Sequence, residues 1–230
     1  MDKFILHEEP VSANCYKIRL TAALLGIPLQ RRIYSILKGE TRTAEFLETV
    51  SSFGRVPVLQ IGDSTFLPES NAACFYLAEA AASTATAASA SSSSSSSSPP
   101  QATTSLIPKD ALQRAEMLRW MFFEQNQHEV NIATLRFWVH VIGGQNLDGS
   151  RRAQIVGKIA AGEQALDCME DHLAKSHHGW FVGDTISLAD ICLFAYTHIA
   201  GDAGFDLSRW PSILKWCDQV KQVQGYIPMS

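Results

Sequence analysis

The apolar residues of this chain follow two different spacings on either side of a Ser/Ala/Thr-rich stretch at 83–105. Before it, short apolar runs alternate with one-sided helical stretches. Phe4-Ile5-Leu6 predicts a strand, and helical spacing over 16–25 predicts a helix ended by Gly26 and Pro28. An extended run at 30–36, a short helix at 44–50, a strand at 57–61, a turn at Gly62-Asp63 and a strand from Thr65-Phe66 follow. A helix over 69–82 completes the order βαβαββα. Beyond the stretch strand signals vanish, and Leu112, Ala115, Leu118 and Phe122, then Ile155, Ile159, Leu166, Met169 and Leu173, recur at helical spacing. Ser187-Leu188-Ala189-Asp190 is a capping box with Ile186 and Ile191 as a hydrophobic staple, so a helix is expected to start at Ser187. The stretch itself, with an unbroken serine run at 91–98 and Pro99-Pro100, holds too little apolar surface to offset its ordering entropy. The expected organisation is α/β plus all-α: a domain over 1–82, a disordered linker over 83–105 and an all-helical domain over 106–230.

A length of 230 residues suits two domains of ordinary size. The net charge of -4, from 19 basic and 23 acidic residues without a dense basic run, argues against nucleic acid or an anionic membrane surface as partner. No apolar run approaches the roughly 18 residues of a membrane span, and the polar N-terminus does not resemble a signal peptide, so a soluble, cytoplasmic protein is expected. The five cysteines are widely spread, with no C-x-x-C pair. That argues for a reducing compartment and against a disulfide framework, a zinc site or a dithiol redox motif.

Several motifs together carry a family resemblance. They are Ser12-Ala13-Asn14-Cys15-Tyr16-Lys17-Ile18-Arg19-Leu20, Gly54-Arg55-Val56-Pro57-Val58-Leu59, Pro68-Glu69-Ser70-Asn71-Ala72, Phe122-Phe123-Glu124-Gln125, His128-Glu129, Arg136-Phe137-Trp138 and Phe181-Val182-Gly183-Asp184-Thr185-Ile186-Ser187-Leu188-Ala189-Asp190. In order and approximate spacing they resemble the soluble glutathione S-transferases, particularly bacterial and fungal members with serine or threonine at the start of the first helix. The resemblance covers essentially the whole chain outside 83–105. It implies a thioredoxin-like N-terminal domain that binds glutathione, a helical domain that supplies most of a second-substrate pocket, and a homodimer. The long connection is a departure, but extending a loop to this length costs only on the order of 1 kcal/mol.

The chemistry to be supplied is ionisation of a thiol. Glutathione attacks as its thiolate, and lowering a thiol pKa from about 8.5 by two units takes roughly 2.7 kcal/mol. A hydrogen bond to the charged sulfur contributes about 1.5 to 3 kcal/mol, and a helix N-terminus about 0.3 to 1 more. Ser12, just ahead of the first predicted helix, is able to offer both or simply to cap that helix. The resemblance assigns it the catalytic role. Asn14 either helps orient the thiol or is a cap residue. Cys15 is the rival, through a mixed disulfide with glutathione, or else a small buried apolar residue. Alignment of 16–19 with related sequences places the cysteine of thiol-transferring classes on Ser12 instead.

For glutathione itself the resemblance points to Val56-Pro57 as a cis bond whose Val56 backbone pairs with the cysteinyl unit. From the residues alone a trans bond is the ordinary state. Glu69 and Ser70 open a helix whose free N–H groups suit the γ-glutamyl carboxylate, with Glu69 for the adjacent ammonium; equally, Pro-Glu-Ser is a good helix start. Lys38 and Arg55 are cations for the glycyl carboxylate or plain surface charges. On the acceptor side stand Phe122, Phe123, His128, Arg136, Phe137 and Trp138, with Phe123, His128 and Arg136 foremost; aromatic residues at helical spacing are also core residues. His128 has no metal-ligand partner at suitable spacing, and a hydrogen-bonded structural histidine is its other reading. The expected activity is conjugation of glutathione, as co-substrate and without a metal, to a small electrophile in detoxification or biosynthesis. The alternatives are a glutathione-dependent isomerase or reductase, and a non-catalytic interaction module.

Overall fold

The computed structural model describes residues 3–91 and 105–229. It divides into two compact units, Met1–Ile107 with Gln224–Ser230, and Pro108–Val223. The last residues of the chain thus join the first unit, whereas the sequence reading grouped everything after 105 together.

The first unit is built on a four-stranded mixed sheet in the order β2-β1-β3-β4. β1 (Phe4–Glu8) is buried at every position. It pairs parallel with β2 (Leu29–Ile33) and antiparallel with β3 (Val58–Ile61), placing Leu6 between Arg31 and Leu59. The parallel pair requires a crossover, which α1 (Ala13–Leu24) supplies. β3 and β4 (Thr65–Pro68) form a hairpin turned through Gly62 at φ 61. Arginines on exposed β2 and a proline ending β4 discourage pairing at the two edges. α2 (Ala44–Thr49) is capped by Thr43 and buries Phe46, and a 3₁₀ turn at Glu40–Arg42 precedes it.

Two helix boundaries differ from the sequence reading. α1 begins at Ala13 rather than 16, because Ser12 accepts a bond from the Cys15 N–H and starts the helix one turn before the apolar repeat. α3 (Ser70–Ser91) continues past the expected end at Ala82 into the stretch read as linker. Alanine is the best helix former, and the Ser83 and Thr84 hydroxyls donate to the Glu79 and Ala80 carbonyls at 3.0 and 2.9 Å instead of competing with the helix. The rest of that stretch, 92–104, lies outside the described residues.

The second unit is helical. α4 (Ala111–Phe123) passes through a π turn at Glu124–Glu129 into α5 (Val130–Arg136) and a second π turn at Phe137–Val141. α6 (Gly149–Lys175) and α8 (Pro211–Lys221) follow in sequence, and Glu170 of α6 accepts the Ser212 and Ile213 amides that open α8, at 2.9 and 3.0 Å. α7 (Leu188–Thr197) is buried along its whole length. Its capping box forms as the sequence predicts, and the Asp190 carboxylate also accepts from the Phe181 N–H and the Trp216 indole, both at 3.0 Å. Among the described residues no helix is long and apolar enough to cross a membrane.

Candidate functional site

The first unit brings the starts of α1 and α3 together. Ser12 is the N-cap of α1; its oxygen accepts from the Cys15 amide at 3.4 Å, near the long limit for such a bond, and its hydroxyl is itself a donor. Two residues on, Asn14 accepts a bond from the Ser70 hydroxyl at 3.2 Å, although the two are 56 positions apart in sequence. One turn deeper, fully buried Lys17 donates to Asn71 at 3.1 Å. These two bonds hold the two helix starts in one place.

Ser70 is buried, and the Ala73 amide donates to the Glu69 carbonyl at 3.0 Å at the opening of α3, whose first-turn N–H groups point toward the helix N-terminus. Glu69 holds the only positive φ of any non-glycine among the described residues, 70°. A left-handed glutamate costs roughly 1 to 2 kcal/mol, and strain of this kind collects at ligand sites. The exposed Glu69 side chain therefore stands on a backbone bent away from its preferred region directly beside the helix opening.

The Val56-Pro57 bond is cis and leads into β3. Gly54 ahead of it has φ 60, and a Cβ there would stand 2.8 Å from the Thr41 carbonyl oxygen, so this loop accepts only glycine at that position. Val56 is half-buried, Pro57 buried, and Arg55 and Lys38 are exposed.

Burial separates the two candidates for sulfur chemistry. Cys15 has no exposed surface, and burial pushes its thiol up to about 12, against a smaller lowering by its hydrogen bond with Ser12. Such a thiol holds almost no thiolate near neutrality, which disfavours the mixed-disulfide role. Beneath this turn lie charges whose burial the sequence reading did not anticipate. Glu8 is completely buried and paired with Arg19 at 3.2 Å and with Arg31, and Arg19 also donates to the Pro10 carbonyl at 3.1 Å. Their signal was the presence of Lys17 and Arg19 inside an apolar helix, where a charge needs a partner.

The acceptor-side candidates scatter. Phe122 and Phe137 are 64% and 36% exposed, and Phe123 is half-buried with its ring edge-on to Trp120 at 5.1 Å. Half-buried Trp138 has the Lys158 ammonium 5.6 Å from its ring centre. His128 and Arg136 are both engaged within the helical unit. His128 is fully buried and donates through Nε2 to Thr197, whose own hydroxyl is committed to the Leu193 carbonyl. Arg136 is buried against Asp202 at 3.0 Å. These contacts favour the structural reading of both residues. Among the described residues no group of three His, Cys, Asp or Glu side chains is placed to hold a metal.

Comparison with known proteins supplies the wider frame. The profile described as "Glutathione S-transferase, N-terminal domain" matches residues 11–80, and "Glutathione S-transferase, C-terminal domain" matches residues 150–219. A crystal structure of a glutathione S-transferase from Pseudomonas fluorescens is 36% identical, covers 98% of both chains and superposes with a TM-score of 0.81. The "Glutathione S-transferase-like protein LUC7" of a Fusarium species is 27% identical over 93% of this chain and 89% of its own length. Ure2p in complex with glutathione, 17% identical, shares the fold with a TM-score of 0.79 over 97% of this chain and 96% of that one.

Proposed function

The chain belongs to the glutathione S-transferase family, and on that premise we propose that its first unit binds glutathione and that Ser12 presents the thiolate to a small electrophile. The observation that carries this reading is the junction of the two helix starts, with Ser12 capping α1 and the Asn14–Ser70 bond at 3.2 Å joining α1 to the opening of α3. In the proposed complex the α3 N-terminus and Ser70 take the γ-glutamyl carboxylate and Glu69 takes the ammonium. The Val56 backbone pairs with the cysteinyl unit, and Lys38 and Arg55 answer the glycyl carboxylate. The sulfur then lies against the Ser12 hydroxyl, which donates to it once the thiol proton has left to water. The thiolate forms a bond to an electrophilic carbon, either displacing a leaving group with its electron pair or adding to a polarised double bond. Phe123, with Phe122 and Phe137, is proposed to meet the acceptor, while His128 and Arg136 hold the helical unit together.

A homodimer in the cytoplasm, serving detoxification or a biosynthetic conjugation, completes the proposal; five free cysteines, four of them buried, suit a reducing compartment. The test is retention on immobilised glutathione followed by thiol consumption against a panel of electrophiles, with products identified by mass. A thioether adduct supports transfer. Regenerated glutathione or its disulfide would favour an isomerase or a reductase, and binding without turnover would favour an interaction module.

A further inference from the structure

We propose that Glu8 and Arg19 are positioning residues for Ser12: the buried carboxylate anchors the guanidinium, and the guanidinium holds the Pro10 carbonyl and so fixes the path of the chain from β1 to the α1 cap. This inference rests on the role proposed for Ser12.

The connection in question is short. β1 ends at Glu8 and Ser12 already caps α1, so only Glu9, Pro10 and Val11 intervene. Its backbone is held at both ends, by the Ser12 amide on the Glu9 carbonyl at 3.0 Å and by the Glu9 carboxylate on the Ile36 amide at 3.1 Å. Arg19 also holds the middle: Nη2 donates to the Pro10 carbonyl at 3.1 Å, while Nε forms an ion pair with the Glu8 carboxylate at 3.2 Å without hydrogen-bond geometry. The guanidinium also lies 5.6 Å from the Tyr16 ring centre, and Tyr16 is itself fastened through its hydroxyl to the Ile227 carbonyl at 2.7 Å. A broad planar guanidinium reaches the Pro10 carbonyl with one nitrogen while its charge stays beside Glu8, whereas an ammonium is a single point of charge. Glu8 has no exposed surface, and Arg19 is 9% exposed. Neither therefore offers a charge to a ligand directly. A buried charge pair is costly to desolvate, and removing one partner leaves the other charge uncompensated. The geometry that this pair specifies is the height and direction of the Ser12 hydroxyl, which must sit within hydrogen-bond reach of a sulfur to act on it.

The roles of charge and shape separate in three substitutions. Arg19→Lys keeps the positive charge beside Glu8 and loses the planar group that spans Glu8 and Pro10. Glu8→Asp keeps both charges and retracts the anchor by one methylene. Arg31→Gln removes the other partner of Glu8, which is 42% exposed and lies on β2, and leaves the Arg19–Pro10 bond in place. Folding is checked by circular dichroism and thermal melting. Turnover is measured with glutathione and an activated aryl chloride, and the thiolate of bound glutathione is titrated by its ultraviolet absorbance. Misplacement of a catalytic group by around an ångström costs about 100-fold, so Arg19→Lys is expected to lower kcat by roughly 10- to 100-fold with little change in KM for glutathione. It should also move the thiolate titration to higher pH. Glu8→Asp should move both in the same direction, and it decides the question if Arg19→Lys does not fold. Arg31→Gln should leave both near the parent values. A folded Arg19→Lys or Glu8→Asp protein with the parent kcat and titration overturns the proposal, as does an Arg31→Gln protein as impaired as Arg19→Lys. Ser12→Ala, measured alongside, keeps the two ideas apart. If its titration matches the parent, the role of Ser12 itself is wrong; if it shifts while the Arg19 and Glu8 variants do not, only the positioning role fails.

Discussion

A hydroxyl and a thiol stand three positions apart at the start of α1, and their surroundings give them opposite prospects. Ser12 is half-buried, while Cys15 is sealed in the core with its thiol pushed up to about 12. Ser12→Ala is therefore expected to raise the pKa of bound glutathione by about 1 to 2 units, the equivalent of one charge-assisted hydrogen bond. Cys15→Ala should leave that titration in place and cost about 1 kcal/mol of stability, as small core truncations do. Ultraviolet titration of the two complexes and urea unfolding of the two proteins measure these effects; a shift in the Cys15 variant alone would reverse the assignment. Ser12 was legible in sequence because a small hydroxyl residue just ahead of an apolar repeat is a cap signal. The burial of Arg19 and Glu8 was not, since a charged residue reads as solvated until its partner, here on a neighbouring strand, is known.

The long helix α6 carries two glycines in contrasting surroundings. Around Gly157 an added Cβ meets nothing within 4 Å, whereas at Gly162 it would lie 2.5 Å from the Phe205 ring. Gly157→Ala is expected to stabilise the protein by up to about 1 kcal/mol through helix propensity alone. At Gly162 the same gain opposes overpacking of about 1 to 3 kcal/mol, and Phe205 is itself buried and unable to swing into solvent, so Gly162→Ala should be destabilising. Urea midpoints of the two variants, moving in opposite directions from the parent, check both. Periodicity made these helices legible but not their interruptions. The π turns at Glu124–Glu129 and Phe137–Val141 fall within motifs that read simply as helix, because a single extra residue per turn leaves no mark on a repeat this short. The extension of α3 to Ser91 was missed for a different cause: polar, low-complexity composition was weighed above the helix propensity of its alanines.

Three histidines, one in the first unit and two in the second, are held below their ordinary pKa. In the first, His7 sits between the Tyr34 hydroxyl and the Gln60 amide oxygen at 2.9 and 3.0 Å. In the second, His172 bonds the Phe181 carbonyl and His198 the Phe194 carbonyl, at 2.9 and 2.8 Å. Burial is the leading cause that lowers all three below the ordinary value of 6.5. The unfolded chain therefore binds protons that the folded chain refuses. Stability from these groups is complete above about pH 6.5 and is lost as pH falls below it toward the folded values. Thermal melting followed from about pH 8 to pH 5 should decline from near pH 6.5 as three histidines outweigh the buried Asp190 carboxyl, which burial raises and which acts in the opposite sense; a flat profile would contradict this. The proposed homodimer has its own measurement: light scattering at micromolar concentration is expected to give twice the chain mass, and a monomer would refute it.

Local and repetitive information was sufficient for much of this protein. Strand runs, helical spacing and one capping box specify a βαβαββα half followed by a helical half, because backbone periodicity and cap chemistry act over a few residues. The joint motifs likewise identify the family, since they depend on residue identity and order. What the chain order does not reveal is which distant groups become neighbours and which of them lose water. Asn14 meets Ser70, Lys17 meets Asn71, and Arg19 closes on Glu8 and Pro10 only when α1 packs against α3 and the sheet. The same packing seals Cys15 and turns His128 onto Thr197, converting groups with plausible chemistry into parts of the core. Reactivity is set by solvent access and by partners far away in sequence, and both come into being only when the elements assemble.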